Sequence, residues 1–154
     1  IYVPAYDGSL YALKRKTGET IWKFEAGGAK HVLLDGDRIY LPSSDGMIYA
    51  LASSNAKILW KFEIDRGTPT SIARGKRHFF VGSSHQYFYA LDIETGKPTY
   101  RYNVGDGSGF SSSPLYDPTA KTLYLLSMSG NLYQFNAHEG DKQNDGYVFD
   151  VLNR

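Results

Sequence analysis

Asp7-Gly8-Ser9-Leu10-Tyr11-Ala12-Leu13, with Thr17-Gly18 and Ile21-Trp22-Lys23-Phe24 behind it, is the stretch whose reading decides the fold. It returns as Asp45-Gly46-Met47-Ile48-Tyr49-Ala50-Leu51 with Leu59-Trp60-Lys61-Phe62. A third copy runs His85-Gln86-Tyr87-Phe88-Tyr89-Ala90-Leu91-Asp92, with Thr95-Gly96 and Tyr100-Arg101-Tyr102. A fourth reads Ser129-Gly130-Asn131-Leu132-Tyr133-Gln134-Phe135, with Glu139-Gly140 and Tyr147-Val148-Phe149. Tyr11, Tyr49, Tyr89 and Tyr133 are separated by 38, 40 and 44 residues, and self-similarity at such a period marks an array of one supersecondary unit.

Each copy reads as short strands joined by tight turns. Asp7-Gly8 and Asp45-Gly46 are two-residue hairpin signals, because glycine supplies the positive φ that the turn needs. Apolar and polar residues then alternate as on a half-exposed strand. The second, third and fourth units carry one more strand in front: His31–Leu34, Thr70–Ala73 and Ser111–Tyr116. No segment shows helical periodicity. Four short strands per unit at a period near forty predict an all-β chain, a β-propeller of four blades of four antiparallel strands. The blades are expected at about 1–28, 29–65, 66–105 and 106–154, in a single partial propeller domain whose first blade lacks its inner strand. An open propeller exposes a blade face at each end.

Naming the strands of a blade A to D from the axis outward, Tyr-Ala-Leu lies on C, with Tyr and Leu packing toward one neighbouring blade. The small Ala then lets the opposite side approach closely. The recurring aromatic on strand D (Trp22, Trp60, Tyr100 and Tyr147) is expected to be buried between blades.

Composition excludes several function classes. Seventeen Lys and Arg against sixteen Asp and Glu leave a formal charge of +1, too little for a dedicated nucleic-acid or anionic-membrane surface. No apolar run approaches the ~18 residues that a membrane-spanning helix requires. The absence of cysteine rules out disulfides and thiolate chemistry. A sequence that opens at Ile1 inside a strand, with no initiator Met, reads as a mature or excised piece.

The repeat resembles the pyrroloquinoline-quinone (PQQ)-like β-propeller family, whose blades follow DG-x-hydrophobic-YALD-x-x-TG-x-x-x-W. The match is fullest at Asp7, Gly8, Tyr11, Ala12, Leu13, Thr17, Gly18 and Trp22. Asn55-Ala56 replaces Thr-Gly in the second copy, and the fourth keeps Gly130, Leu132, Tyr133 and Gly140. The resemblance implies a larger ring of seven or eight blades. Catalytic members hold PQQ over a tryptophan floor beside a calcium ion, and many carry a vicinal cysteine pair. Here both tryptophans sit at the repeat position on strand D, and the acidic residues are scattered through turns. His31, His78, His85 and His138 show no metal-ligand spacing. The expectation is therefore no catalytic, metal or cofactor-binding residue, and no cofactor.

The branch that remains is non-catalytic and resembles the lipoprotein subunit of the outer-membrane β-barrel assembly machinery. It implies a scaffold that binds a protein partner, or the remaining blades of the ring, in an extracytoplasmic, periplasmic or cell-surface assembly. A ligand-sensing domain of a receptor-like protein and a fragment of a PQQ-dependent dehydrogenase are the other readings. Partner surfaces favour exposed Arg and aromatic residues. The D-to-A connections and B-to-C turns share one face, which puts Arg66, Phe110, His31 and His85 forward as partner-binding residues.

Overall fold

The computed structural model describes residues 1–105, 107–137 and 151–153, the last three as backbone only. Every regular element among them is a strand. The chain divides into two compact units, Ile1–Ile64 and Asp65–Arg154.

Unit 1 holds a three-stranded sheet of β1 (Tyr2–Pro4), β2 (Ser9–Leu13) and β3 (Thr20–Glu25). Its second sheet contains β4 (Leu33–Asp35), β5 (Arg38–Pro42), β6 (Met47–Ala52) and β7 (Ile58–Glu63). Both are antiparallel meanders, and the first does lack an inner strand. Leu10 and Ala26 from one side meet Ile39, Leu41 and Leu51 from the other, with Trp22, Phe24 and Tyr49 packed around them. The Trp22 indole N–H donates to the Ser53 carbonyl at 3.1 Å, and the Tyr2 hydroxyl donates to the same oxygen at 3.2 Å. Both rings are thus held by the neighbouring sheet.

Unit 2 repeats the plan with β8 (Ala73–Arg74), β9 (His78–Gly82), β10 (Tyr87–Asp92) and β11 (Pro98–Asn103) in one sheet. Its other sheet is β12 (Leu115–Asp117), β13 (Thr122–Leu126), β14 (Leu132–Asn136) and β15 (Val151–Asn153). Its core is more aromatic: Phe80, Phe88 and Phe110 lie with Leu123, Leu125, Tyr133 and Phe135, and Phe88 stacks on Phe135 at 5.1 Å.

The register explains the Tyr-Ala-Leu triplet. Ala12 pairs with Trp22, Ala50 with Trp60 and Ala90 with Tyr100. Directly paired residues share a face, so the small side chain leaves room for the aromatic beside it. Tyr49 and Leu51 point the other way, into the core shared with the preceding sheet. A register shift follows each of these alanines, and another follows Gln134. The extra residue it admits, Ile21 or Leu59, is thrown outward and stands 56% or 45% exposed.

Two expectations need correction. The inner strands begin later and are shorter than the sequence suggests, because the chain first makes single bridges at Ala29–Ser43, Pro69–Ser83 and Phe110–Ser127. And Trp22, Trp60 and Tyr100 are half-buried rather than buried, since each lies on the outermost strand, where one ring edge meets solvent. Tyr147 and the loop from Glu139 to Gly146 lie outside the described residues. The outer face of the last sheet carries exposed Leu115, Leu126 and Leu132, the last two directly paired. In unit 1, Ile1 and Val3 are exposed.

Candidate partner-binding surface

The β1–β2 turn of the three-stranded sheet and the turns that join the second and third strands of the four-stranded sheets carry the most chemistry. In unit 1 each is built round an aspartate. One carboxylate oxygen of Asp7 accepts the Ser9 N–H at 2.9 Å, and the other accepts the Tyr11 hydroxyl at 2.6 Å. Asp45 does the same with Met47 (2.9 Å) and Tyr49 (2.7 Å). Lys23, paired with Tyr11 in the sheet, brings its ammonium to 3.5 Å from Asp7. The Tyr11 hydroxyl, more than any other group, holds the Asp7 carboxyl below its ordinary range. Burial, then the Asp45 hydrogen bond, pushes Tyr49 up to about 12. The residue after each aspartate is a glycine with φ near 84° (Gly8) or 88° (Gly46).

The β9–β10 turn departs from this. His85 stands where Asp7 and Asp45 stand, and Gln86 adopts the glycine conformation with φ 65°. The acid comes instead from Asp65. Its carboxylate accepts the Tyr89 hydroxyl at 2.7 Å and an Arg101 N–H at 3.0 Å. Arg101 pairs with Tyr89 across the ladder, as Lys23 does with Tyr11, and its guanidinium stacks over Tyr87 at 4.9 Å. Tyr89 and then Arg101 hold the Asp65 carboxyl below its usual range, while burial and Asp65 raise the Tyr89 phenol. A Tyr–carboxylate–cation triad therefore survives with its acid supplied from 24 residues upstream.

Two connections hold this turn. The Ser83 hydroxyl donates to the Arg66 carbonyl, and the Thr68 N–H donates to Ser84 Oγ at 2.9 Å. On the other side the Gln86 N–H donates to the Ser108 carbonyl at 2.8 Å and the Phe110 N–H to the Ser83 carbonyl at 2.8 Å. Glycines make the contact possible: a Cβ on Gly109 would stand 2.1 Å from the Ser84 carbonyl carbon, and one on Gly67 3.1 Å from His85 Cβ. Segments 65–68, 83–86 and 107–110 thus form one polar surface of unit 2.

Of the four sequence candidates, Arg66 and His85 come together here, both exposed. Phe110 does not belong with them. It is 1% exposed, with its Cβ region against Gly82 and its ring edge-on to Tyr133 at 6.1 Å, so it is a core residue without a binding surface. His31 is exposed in unit 1, ahead of β4. The sequence reading missed Asp65, Arg101 and Tyr87. The signal was present: the copy that lacks the turn aspartate retains the tyrosine and the cation, and an aspartate stands two residues after the end of β7. Among the described residues no group of three or more His, Asp or Glu is arranged to hold a metal ion. Nor is any helix there long and apolar enough to cross a membrane.

Comparison with known proteins agrees with this geometry. The assembly factor BamB of Yersinia pestis is 29% identical over 136 residues, 88% of this chain and 34% of that protein. BamB of Escherichia coli K12 is 30% identical over 134 residues, 86% of this chain and 33% of its own. The chain thus spans about a third of the length of these curated relatives. The crystal structure of BamB from Moraxella catarrhalis superposes with a TM-score of 0.73 at 26% identity, over 91% of this chain and 44% of that one. A quinohemoprotein alcohol dehydrogenase from Comamonas testosteroni also reaches 0.73, over 88% of this chain and 31% of that one, but at 17% identity, which is likeness of fold alone. The four sheets are blades of an all-β propeller of the PQQ-like repeat type. A family model described as outer membrane protein assembly factor BamB matches residues 2–148, and the chain belongs to that family.

Proposed function

We propose that this chain is part of a non-catalytic scaffold for outer-membrane protein assembly, acting outside the cytoplasm and binding a protein partner through the loop surface around Arg66 and His85. The match to the assembly-factor family across residues 2–148 carries this reading. The site chemistry supports it. The carboxylates of Asp7, Asp45 and Asp65 are engaged by turn amides, tyrosine hydroxyls or Arg101, which makes them supports for loops. Exposed Arg66 and His85 stand on a surface fixed by backbone hydrogen bonds, the preorganisation that lowers the cost of association.

The reading is tested by placing a photo-crosslinking residue at Arg66, at His31, or at exposed Glu19 beside the β2–β3 turn, in a bacterial cell envelope. Adducts with a component of outer-membrane protein assembly are expected from Arg66 and absent from Glu19. Absence of such adducts from both Arg66 and His31 sinks the proposal.

A further inference from the structure

The β9–β10 turn is the one full hairpin turn of its kind among the described residues in which neither turn residue is what the repeat elsewhere uses. In unit 1 the turn aspartate is fully occupied, capping a backbone N–H with one oxygen and receiving a tyrosine hydroxyl with the other. At the β9–β10 turn both tasks are done by other groups. Asp65 receives the Tyr89 hydroxyl, and the Tyr87 N–H, the counterpart of those that Asp7 and Asp45 cap, donates to the His85 backbone carbonyl at 2.8 Å. The side chain at position 85 is thereby released from structural work and stands exposed. Its neighbour Gln86 holds φ 65°, a conformation that costs a side-chain-bearing residue where glycine adopts it freely. The backbone stays there because Gln86 is bonded at both ends: its N–H to Ser108 and its carbonyl to the Val104 N–H at 3.0 Å. A conformation with a cost, imposed by flanking loops at an exposed turn, is the kind of strain that clusters at binding sites.

The chain from Arg66 through His85 carries charge of one sign only. Between Arg66 and Leu91 the chain contains no Asp or Glu. Among the described residues no carboxylate pairs with the Arg66 side chain, and the Asp65 charge is already met by Arg101. Gly67 brings the Arg66 connection against His85, so the exposed residues Arg66 and His85 lie on adjoining segments. We propose that the His85–Gln86 turn is the recognition element of this surface and that, with Arg66, it takes a carboxylate-rich segment of a protein partner. The proposal rests on the reading of this surface as a partner site and names the chemistry of what it binds. Arg66 meets a carboxylate through paired N–H donors, His85 adds a further donor, and Gln86 offers its amide to the same segment.

The test uses the 154-residue chain and two fluorescein-labelled peptides, one alternating Glu and Ser and the other alternating Lys and Ser, followed by fluorescence anisotropy. The Glu peptide is expected to bind and the Lys peptide to be ignored. The double variant His85→Asp/Gln86→Gly rebuilds the Asp-Gly turn that unit 1 uses, and should weaken the Glu peptide about tenfold with unchanged circular dichroism and a melting temperature no lower than that of the wild type. His85→Ala/Gln86→Gly separates loss of the imidazole from gain of a negative charge and should also weaken binding. Arg66→Glu should abolish it. Equal binding of both peptides, or undiminished binding by a folded double variant, overturns the proposal. So does failure of the Glu peptide to bind at all; if cross-links from Arg66 persist in that case, the partner surface stands and only its acidic specificity falls.

Discussion

Asp7 and Asp45 each sit four residues before the tyrosine whose hydroxyl they receive, whereas Asp65 sits 24 before Tyr89. Both arrangements put a carboxylate at 2.6–2.7 Å from a strand-C phenol, with a cation from strand D beside it in blades one and three. The difference teaches that the triad is a spatial requirement and not a sequence one. Once the acid comes from a neighbouring connection, the turn is free to change, and in unit 2 it has changed to His85-Gln86.

The largest expected effect breaks the scaffolding round that turn. Gly109→Ala places a methyl group 2.1 Å from backbone carbon, which forces the two segments apart and should cost about 3 kcal/mol. Gly18→Ala in unit 1 meets nothing within 4 Å and should lose only about 1 kcal/mol, through its positive φ. Urea unfolding followed by circular dichroism measures both. Tryptophan fluorescence reports only on unit 1, where Trp22 and Trp60 reside. Equal costs for the two variants would mean that the close approach at Gly109 contributes nothing.

Tyr89→Phe comes next. The Tyr89 side chain is 1% exposed, and its hydroxyl also accepts the Asp65 N–H at 3.0 Å, so its loss leaves two groups short of a partner. About 1–2 kcal/mol is expected, against a smaller loss for Tyr11→Phe at an exposed hydrogen bond. A larger effect at Tyr11 would reverse the ranking of the two triads.

The fold was legible because its signals are local and repeated. Asp-Gly turns, alternating strands and one aromatic per unit each follow from backbone conformation and side-chain period, which neighbouring residues specify. What stayed hidden was set by tertiary approach. Phe110 follows a glycine-rich stretch and reads as a loop residue; only the packing of Gly82 against it shows why it is buried. Trp60 recurs like a core residue, yet its outer-strand position leaves it half in solvent. The Asp65–Tyr89–Arg101 group spans 36 residues between Asp65 and Arg101, beyond the reach of any local motif.

Gln86→Gly sharpens the comparison from the other direction. Relief of the left-handed conformation should stabilise unit 2 by about 1 kcal/mol. Gly8→Ala should do the opposite, because a Cβ there would also press to 3.0 Å on the Gly28 nitrogen. If Gln86→Gly destabilises, the side chain contributes to the fold and its release for binding is refuted.

The smallest effect concerns protons. The Tyr89 hydroxyl and Arg101 hold the folded-state pKa of Asp65 below its unfolded value. A depressed carboxylate contributes stability that is fully present above the unfolded pKa, near about 3.9, and is lost as pH falls through the folded value. Wild-type stability should therefore drop below about pH 4 more steeply than that of Asp65→Asn, which has no carboxylate to protonate. The side chain is 45% exposed and Arg101 53%, so solvent screening confines the difference to less than about 1 kcal/mol. Asp7→Asn should show the same sign, since the Tyr11 hydroxyl depresses Asp7 in the same way. Urea midpoints at pH 3 and pH 7 for the three proteins decide the matter. Parallel acid limbs for wild type and Asp65→Asn would show that the relocated carboxylate carries no folded-state shift, and that blade three keeps the geometry of the triad without its electrostatics.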